Sequence, residues 1–218
     1  EIQVARRNSQ YLPGINLPRT LHATADLAEA LKGKSLVFLA VPSQTLRQNL
    51  LDLEPYLDRR TVLVSLVKGV ERTTTMRMSE VIVDTLDLEP NRVAAVPGPN
   101  IALEIAKEQP TGGVAACADA AVAQEIATAC SAPYFRGYVS TDVIEAELGA
   151  LPKNLIALAI GIADGVRYGE NTKAAIIPRG LAAMTALAGP PGADPPPLPG
   201  LSGPRDLSAT RQLPRPGH

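Results

Sequence analysis

The chain reads LVFLAVPS at residues 36–43, and this stretch decides the fold class. Its continuous apolar run is typical of a strand that is covered on both faces of a parallel sheet, and Pro42 indicates a turn directly after it. Comparable β-rich runs recur along the chain with amphipathic stretches between them, which predicts an α/β domain. The predicted strands are 35–41, 61–66, 92–96, 113–116 and 135–139.

Helices are predicted between these strands. The clearest candidates are 26–31, 44–53 and 101–107. Thr24 is the expected N-cap of the first helix, the second helix follows the turn at Pro42, and the third starts directly after Asn100. Each connection between these elements is short.

A second pattern begins near Asp142 and predicts the entry into an all-helical domain. Apolar residues recur there at helical spacing, namely Val143, Ile144, Leu148, Leu151, Leu155, Leu158 and Ile162. Further on, nine of the 20 prolines fall between residues 190 and 216. Since a proline inside a helix costs about 3 kcal/mol or more, a Pro-rich irregular tail is expected over 189–218, with a linker or an interaction segment as the alternative.

Composition restricts the classes of function. The 218 residues are 45% hydrophobic and include 21 Lys plus Arg against 22 Asp plus Glu. The chain can therefore bury a core, and it has no excess charge that would attract nucleic acid or an anionic membrane. The longest apolar stretch, near 155–163, is too short to cross a bilayer, and residues 1–7 lack a signal-peptide core, so a cytoplasmic location is expected.

Cysteine and histidine usage excludes two further kinds of site. Cys117 and Cys130 stand in neither a CxxC nor a metal-like spacing, which indicates a reducing compartment and two small core residues. The histidines are His22 and His218, so neither a Ser-His-Asp set nor a metal centre is expected. Any chemistry must then use lysines and a bound cofactor.

Two turns at the expected edge of the sheet are candidates for holding an anion. The first lies in TVLVSLVKGVE at 61–71, where Lys68 either reaches a bound anion or carbonyl, or is a solvated surface cation. The second lies in VPGPNIA at 96–102, where Gly98 lets a ligand approach the backbone and the helix start offers N–H groups to a phosphate. The alternative for the second is an ordinary turn capped by Asn100.

Lys153 is the strongest catalytic candidate in the chain. It stands with Asn154 in ELGALPKNLI at 147–156, inside an otherwise apolar helix face. Burial of a lysine is costly unless the lysine is paired or used, and burial lowers its pKa, which suits a general acid or base near neutral pH. A position at the solvated edge of the helix is the alternative.

Several blocks of the sequence together resemble one family. They are NSQYLPGINLP at 8–18, LAVPSQ at 39–44, SLVKGVE at 65–71, PGPNIALEIA at 97–106, KNLIALAIGIADG at 153–165, and ENTKAAII with RGLAAMT within 170–185. In order and spacing these blocks are similar to the bacterial NAD(P)-dependent glycerol-3-phosphate dehydrogenases. Dehydrogenases of 6-phosphogluconate and 2-dehydropantoate share the two-domain plan but fit PGPNIA and the KNLIALAIGIADG run less well.

The resemblance implies a fold and a reaction. The fold is α/β, with a partial Rossmann-like cofactor-binding domain over 1–141 and the start of a helical substrate domain over 142–188. The reaction is hydride transfer between NAD(P)H and dihydroxyacetone phosphate, which gives sn-glycerol 3-phosphate for phospholipid synthesis. The implied cofactor is NAD or NADP, the substrate is a small phosphorylated triose, and a homodimer is one option for the assembly.

The resemblance also implies residue roles. Lys153 is similar to the proton donor and acceptor of the family, with Asn154 beside it at the substrate. Lys68 is similar to the lysine that touches both substrate and nicotinamide, whose charge stabilises the developing alkoxide. Other positions match binding residues, with the substrate at Gly98, Asn100 and Asp206 and the cofactor at Ala102.

Departures from the family pattern raise a second hypothesis, a catalytically inactive remnant of such an enzyme. The first strands and the glycine-rich loop are expected before residue 1, so little NAD(P)H binding is expected of this chain. Residues 216–218 replace the segment whose arginine grips the substrate phosphate. Prolines also stand where the family has other residues, at Pro97, Pro152, Pro178 and Pro204.

Overall fold

The structure of the chain, a computed structural model, describes residues 2–98, 100–150 and 153–188, without the side chains of residues 150, 153–155 and 181–188. Five strands form one sheet in the order β1-β2-β3-β4-β5. They are β1 (Leu36–Leu39), β2 (Val62–Ser65), β3 (Val93–Ala95), β4 (Thr111–Cys117) and β5 (Phe135–Ser140). Each overlaps a predicted strand, which confirms the α/β fold.

The described helices accompany and follow the sheet. They are α1 (Ile2–Ala5), α2 (Leu27–Leu31), α3 (Leu46–Leu53), α4 (Met78–Leu86), α5 (Ala102–Ala106), α6 (Ala120–Cys130), α7 (Val143–Ala150), α8 (Lys153–Gly165) and α9 (Glu170–Ala188). Short 3-10 turns lie at Ser43–Thr45, Glu54–Tyr56 and Pro90–Arg92. In this part of the chain, none of the helices combines the length and the apolar character that spanning a membrane requires.

One pairing in the sheet is antiparallel, which the strand pattern does not predict. β1, β2 and β3 are parallel neighbours, β4 runs antiparallel to β3, and β5 runs parallel to β4. The helix between β3 and β4 is α5, which has five residues. Such a helix spans only about 7–8 Å, too little to carry the chain back across the sheet for a parallel strand. As a result, β5 ends at the edge of the sheet where β1 begins.

Aspartates cap two of the helices. The carboxylate of Asp26 accepts from the backbone N–H of Ala28 at 2.8 Å, and that of Asp119 accepts from Ala121 at 2.8 Å. The prediction that Thr24 is the N-cap of α2 was wrong. The hydroxyl of Thr24 instead accepts from the backbone N–H of Asp26 at 3.1 Å, which steadies the residue that does cap the helix.

The sheet lies between two apolar layers. In β2, Leu63 belongs to a cluster with α3 and α4, whereas Val62 and Val64 belong to a cluster with α6. Several large side chains in these layers are fully buried, among them Leu46, Leu50, Met78, Ile82 and Ile126. Because both faces of the sheet are covered, ligands have access mainly at its edges.

Helices α8 and α9 share a much smaller core. It consists of Ile156, Ile160, Ile176 and Ile177. Leu158 and Ile162 belong to the apolar pattern that predicts this region, yet they are 60% and 57% exposed, because the face of α8 that packs on α9 carries Ile156 and Ile160. The pattern therefore predicted the helix correctly but does not mark which of its apolar residues are buried.

The prolines that depart from the family pattern have different outcomes. Pro97 is buried directly after β3. Pro178 stands inside α9, where its ring nitrogen has no hydrogen to donate to the carbonyl one turn earlier. Pro152, Pro204 and the predicted tail over 189–218 lie outside the described residues.

Candidate active site

The three parallel strands end at one edge of the sheet, and a cavity of about 800 Å³ opens there. Ligands of parallel α/β sheets bind at this edge. The segments that follow β1, β2 and β3 each line the cavity, through residues 40–43, 66–68, and 96 with 100. Helix α5 and residues around the start of β5 complete a wall that is mostly apolar.

Lys68 lies on the wall of this cavity, on the loop that follows β2. Its side chain is partly buried, and the residues around it on the wall are mostly apolar. Gly69, directly behind it, has a φ of +119°, a backbone conformation that glycine adopts without the steric cost of a side chain. A cation beside an apolar wall attracts an anionic oxygen more strongly than a cation in bulk water. Lys68 can therefore reach a ligand in the cavity.

Gln44 holds the loop that carries Lys68. Its side-chain Nε2 donates to the carbonyl of Val70 at 2.9 Å, and its Oε1 accepts from the backbone N–H of Arg72 at 3.1 Å. These two bonds connect the turn after β1 to the loop after β2. No role is predicted for Gln44 from its place in LAVPSQ, because a bond across 26 to 28 residues leaves no local signal in the sequence.

A charged group fixes the far side of the same loop. The guanidinium of Arg47 contacts both carboxylate oxygens of Glu71 at 3.0 Å and a carboxylate oxygen of Asp84 at 2.7 Å. The pKa of Glu71 is lowered, first by its hydrogen bonds from Arg47 and then by a hydrogen bond from the hydroxyl of Thr74. The loop after β2 is therefore anchored to both α3 and α4.

Gly98, Asn100 and Ala102 meet the cavity unequally. Asn100 and Ala102 line it, whereas Gly98 is buried against β4, where an added Cβ would lie 3.1 Å from the Cα of Gly113. Close packing against β4 thus restricts this position to a residue without a side chain. The alternative of a turn capped by Asn100 is wrong, since its Nδ2 donates to the carbonyl of Val96 at 2.9 Å and the N-cap of α5 is Ile101. Contacts of these residues with substrate or cofactor stay predictions.

Cys130 is a further residue on the wall that the sequence analysis treated as core only. Burial raises the pKa of its thiol. Because the thiolate is the reactive form, this cysteine is a poor nucleophile at neutral pH. Its contribution to the cavity is a small apolar surface.

The other predicted catalytic group belongs to the helical region. Lys153 is the first residue of α8 and Asn154 follows it, but their side chains lie outside the described part of the structure. Asp206 lies outside it as well. The roles predicted for Lys153, Asn154 and Asp206 therefore stay predictions.

An unpredicted contact joins the helical region to the sheet. Glu147 of α7 accepts from the guanidinium of Arg77 at 2.8 Å and from the backbone N–H of Ser79 at 2.9 Å. Its carboxylate also accepts from the Ser79 hydroxyl. Arg77 and Ser79 form the start of α4, so this contact attaches α7 to the helix that follows the Lys68 loop.

Two family models match the chain. The N-terminal model of NAD-dependent glycerol-3-phosphate dehydrogenase matches residues 1–123, and the C-terminal model matches residues 142–215. A glycerol-3-phosphate dehydrogenase (NAD(P)+) of Leifsonia xyli subsp. xyli is 56% identical over 214 residues, which are 98% of this chain and 58% of the relative. One of Streptomyces griseus subsp. griseus is 53% identical over 213 residues, with 98% and 63% covered. The chain thus spans less than two thirds of the length of these relatives.

Solved structures share the fold. The glycerol-3-phosphate dehydrogenase of Coxiella burnetii superimposes with a TM-score of 0.83 at 29% identity, over 97% of this chain and 69% of the other. That of Plasmodium falciparum gives a TM-score of 0.89 at 26% identity, over 98% and 60%. The Rossmann-like fold that the resemblance implied is confirmed. With both family models matched in order along the sequence, the chain belongs to the NAD-dependent glycerol-3-phosphate dehydrogenase family.

Proposed function

We propose that the protein containing this chain is an NAD(P)-dependent glycerol-3-phosphate dehydrogenase, which interconverts dihydroxyacetone phosphate and sn-glycerol 3-phosphate. The observation that carries this proposal is the cavity at the carboxyl ends of β1, β2 and β3, with Lys68 on its wall. Family membership and the names of relatives at 56% and 53% identity support it. The two cysteines, both free thiols, suit a cytoplasmic location.

The cavity fits the reacting end of a nicotinamide cofactor. About 800 Å³ is within the range of small-molecule sites, and a mostly apolar wall with few polar groups suits a flat ring. When bound, NAD(P)H supplies the hydride for the C2 carbonyl. In the proposal, residues 1–141 belong to the cofactor domain and 142–188 to the substrate domain.

The residues of the chain orient the reactants and manage charge. Lys68 holds the carbonyl oxygen and stabilises the negative charge that develops on it. Lys153 gives the proton to that oxygen, and it takes the proton back in the reverse reaction. The remaining site residues bind the reactants. Ala102 contacts the cofactor, and the substrate is contacted by Gly98, Asn100, Asn154 and Asp206.

The test is the oxidation of NADH and of NADPH by the protein in the presence of dihydroxyacetone phosphate. Lys68→Met removes the charge but keeps the length of the side chain. We expect this change to lower kcat by about 10²- to 10³-fold, the usual effect of removing one stabilising donor. Lys32→Met is the matched control, because Lys32 is exposed at the end of α2, away from the cavity.

Three results would contradict the proposal. The first is an unmodified protein that oxidises neither cofactor with this substrate, as an inactive remnant would. The second is equal activity of Lys68→Met and Lys32→Met. The third is a preference for 2-dehydropantoate over dihydroxyacetone phosphate in the same assay.

A further inference from the structure

Glu147 is a buried acid in α7 that the proposed reaction does not use. It is 8% exposed, and it is the one charged residue among the four buried polar residues of the described part of the chain, the others being Thr61, Ser65 and Ser79. A buried carboxylate is costly unless charged or hydrogen-bonding partners surround it. Its position therefore calls for a specific arrangement of partners.

Three donors surround this carboxylate, all from the start of α4. Arg77, only 15% exposed, donates from Nη1 at 2.8 Å, and Ser79 donates from its backbone N–H at 2.9 Å and from its hydroxyl. The backbone N–H is one of the groups that a helix leaves unpaired in its first turn, where the helix dipole favours negative charge. Glu147 thus acts as a cap for α4 that comes from another part of the chain.

The same arginine closes a hairpin over residues 70–77 that directly follows Lys68 and Gly69, here called the Lys68 hairpin. Val70 and Arg77 form an antiparallel bridge, and the backbone N–H of Glu71 donates to the carbonyl of Met76 at 2.9 Å. A shift of Arg77 therefore moves Val70, which lies next to the Lys68–Gly69 turn. One end of the Glu147 contact is in this way tied to the first lysine of the candidate site.

The other end of the contact leads to the second lysine. Glu147 lies in α7, and α8 begins shortly afterwards at Lys153. Since β5 ends at the opposite edge of the sheet, α7 must bring the chain back towards the start of α4. The Glu147 contact is where this returning helix meets the Lys68 hairpin.

We propose that Glu147 is a positioning residue that sets the Lys68 hairpin and the segment leading to Lys153 in register, a role that rests on the function proposed above. It touches neither the cavity nor the reacting atoms. It acts through its contacts with Arg77 and Ser79. These contacts hold together two lysine-bearing segments that come from distant parts of the sequence. Small displacements of catalytic groups have large effects on rate, about 10²-fold for 1 Å.

The test is Glu147→Gln, which keeps the shape of the side chain but removes its charge and presents an N–H₂ group to donors. We expect kcat to fall by about 10- to 100-fold, with a smaller change in the KM for NAD(P)H. Amide hydrogen exchange should become faster over residues 66–77 as well as in α7. Glu145→Gln is the matched control, since Glu145 is an exposed acid of the same helix.

Two further variants separate positioning from folding stability. Ser79→Ala removes one donor and should give a smaller loss of kcat in the same direction, which keeps the test available if Glu147→Gln fails to fold. Arg77→Met combined with Glu147→Gln should lower kcat no further than the more severe single change, because both changes break one contact. Additive losses would argue for two independent structural effects.

The proposal is overturned if Glu147→Gln lowers the unfolding temperature but leaves kcat equal to that of Glu145→Gln. It is also overturned if the faster exchange is confined to α7 and spares residues 66–77. An unmodified protein without dehydrogenase activity would contradict the proposed function, and the exchange of residues 66–77 would still decide whether Glu147 couples the two segments.

Discussion

The sheet and the helical pair after it are stabilised in different ways. Fully buried side chains lie on both faces of the sheet, among them Leu63 of β2, Leu50 of α3 and Ile126 of α6. Helices α8 and α9 share one cluster of four isoleucines, and apolar residues beside it are more than half exposed. Because close packing resists displacement, the sheet fixes Lys68 firmly, whereas the segment that begins at Lys153 depends on few contacts.

The strongest test of this difference compares two core truncations. Leu50→Ala empties a fully buried position beneath the sheet and should cost about 2–5 kcal/mol of unfolding free energy. Ile160→Ala, in a cluster that can collapse more easily, should lie near the lower end of that range. Amide hydrogen exchange should show a loss of protection throughout β1–β3 for the first change and a loss of protection confined to α8 and α9 for the second. If both variants lost amide protection equally and over the whole chain, the sheet and the helical pair would not differ in how they are stabilised.

A second test adds a methyl group to a glycine in each region. Gly137→Ala places a Cβ 2.5 Å from the carbonyl oxygen of Ala127, where backbone must move, and should cost about 1–3 kcal/mol. Gly165→Ala meets nothing within 4 Å at the end of α8 and should be neutral or stabilising by up to about 1 kcal/mol. Urea unfolding followed by circular dichroism measures both. Similar midpoints for the two variants would show that α6 does not lie so closely on β5.

The smallest expected effect is a dependence of stability on acid pH that belongs to the sheet. Hydrogen bonds from Arg47 and then Thr74 lower the pKa of Glu71 below its ordinary value of 4.5. A carboxyl with a lowered folded-state pKa stabilises the fold fully above its unfolded-state pKa, and this contribution is lost as the pH falls through the folded-state value. Glu71→Gln should therefore lower the urea midpoint at pH 7, and its effect should shrink as the pH falls below 4.5 through the folded-state pKa.

The partner of Glu71 provides the check on that result. Arg47→Met should remove the same acid-side dependence, because the lowered pKa of Glu71 comes first from Arg47. A difference between unmodified protein and Glu71→Gln that grows towards acid pH would contradict the assignment. In the helical region the pKa of Lys173 is raised, first by Asp164 and then by Glu170, so the contribution of this lysine to stability is lost at alkaline pH, and Lys173→Met should lower the urea midpoint less at strongly alkaline pH than at pH 7.

Local patterns predicted β1, β2 and β3 well because these strands lie in continuous, mostly apolar runs. The run at 61–66 became β2, whose residues are all buried. β4 begins earlier than predicted, at Thr111, because Gly112 and Gly113 have no side chains to show a strand pattern and serve close contacts with β5 instead. The antiparallel pairing of β3 with β4 depends on how far a short helix reaches, which is a property of length and not of residue type.

The candidate site was predictable only where a motif lies on one loop. Lys68 and Asn100 follow strand ends, so the rule that parallel strands end together brought them to one cavity. Gln44 and Glu147 were missed because each acts through a contact with residues far along the chain, up to 70 residues apart for Glu147 and Arg77. The one sequence signal for Glu147 was a polar residue next to apolar helix positions, in the ELGAL segment at 147–151. That signal was attributed to Lys153 instead.

Because β4 reverses the direction of the sheet, the length of α7 sets how far the chain travels back from the end of β5. This helix has eight residues and is about 12 Å long. Every residue of an α-helix advances the chain by about 1.5 Å and rotates it by about 100°. Deleting one residue from α7 would thus rotate the helix residues after the deletion by about 100° relative to those before it. Substitutions keep the number of residues, so only insertions or deletions can test how the length of α7 sets the position of the chain beyond it.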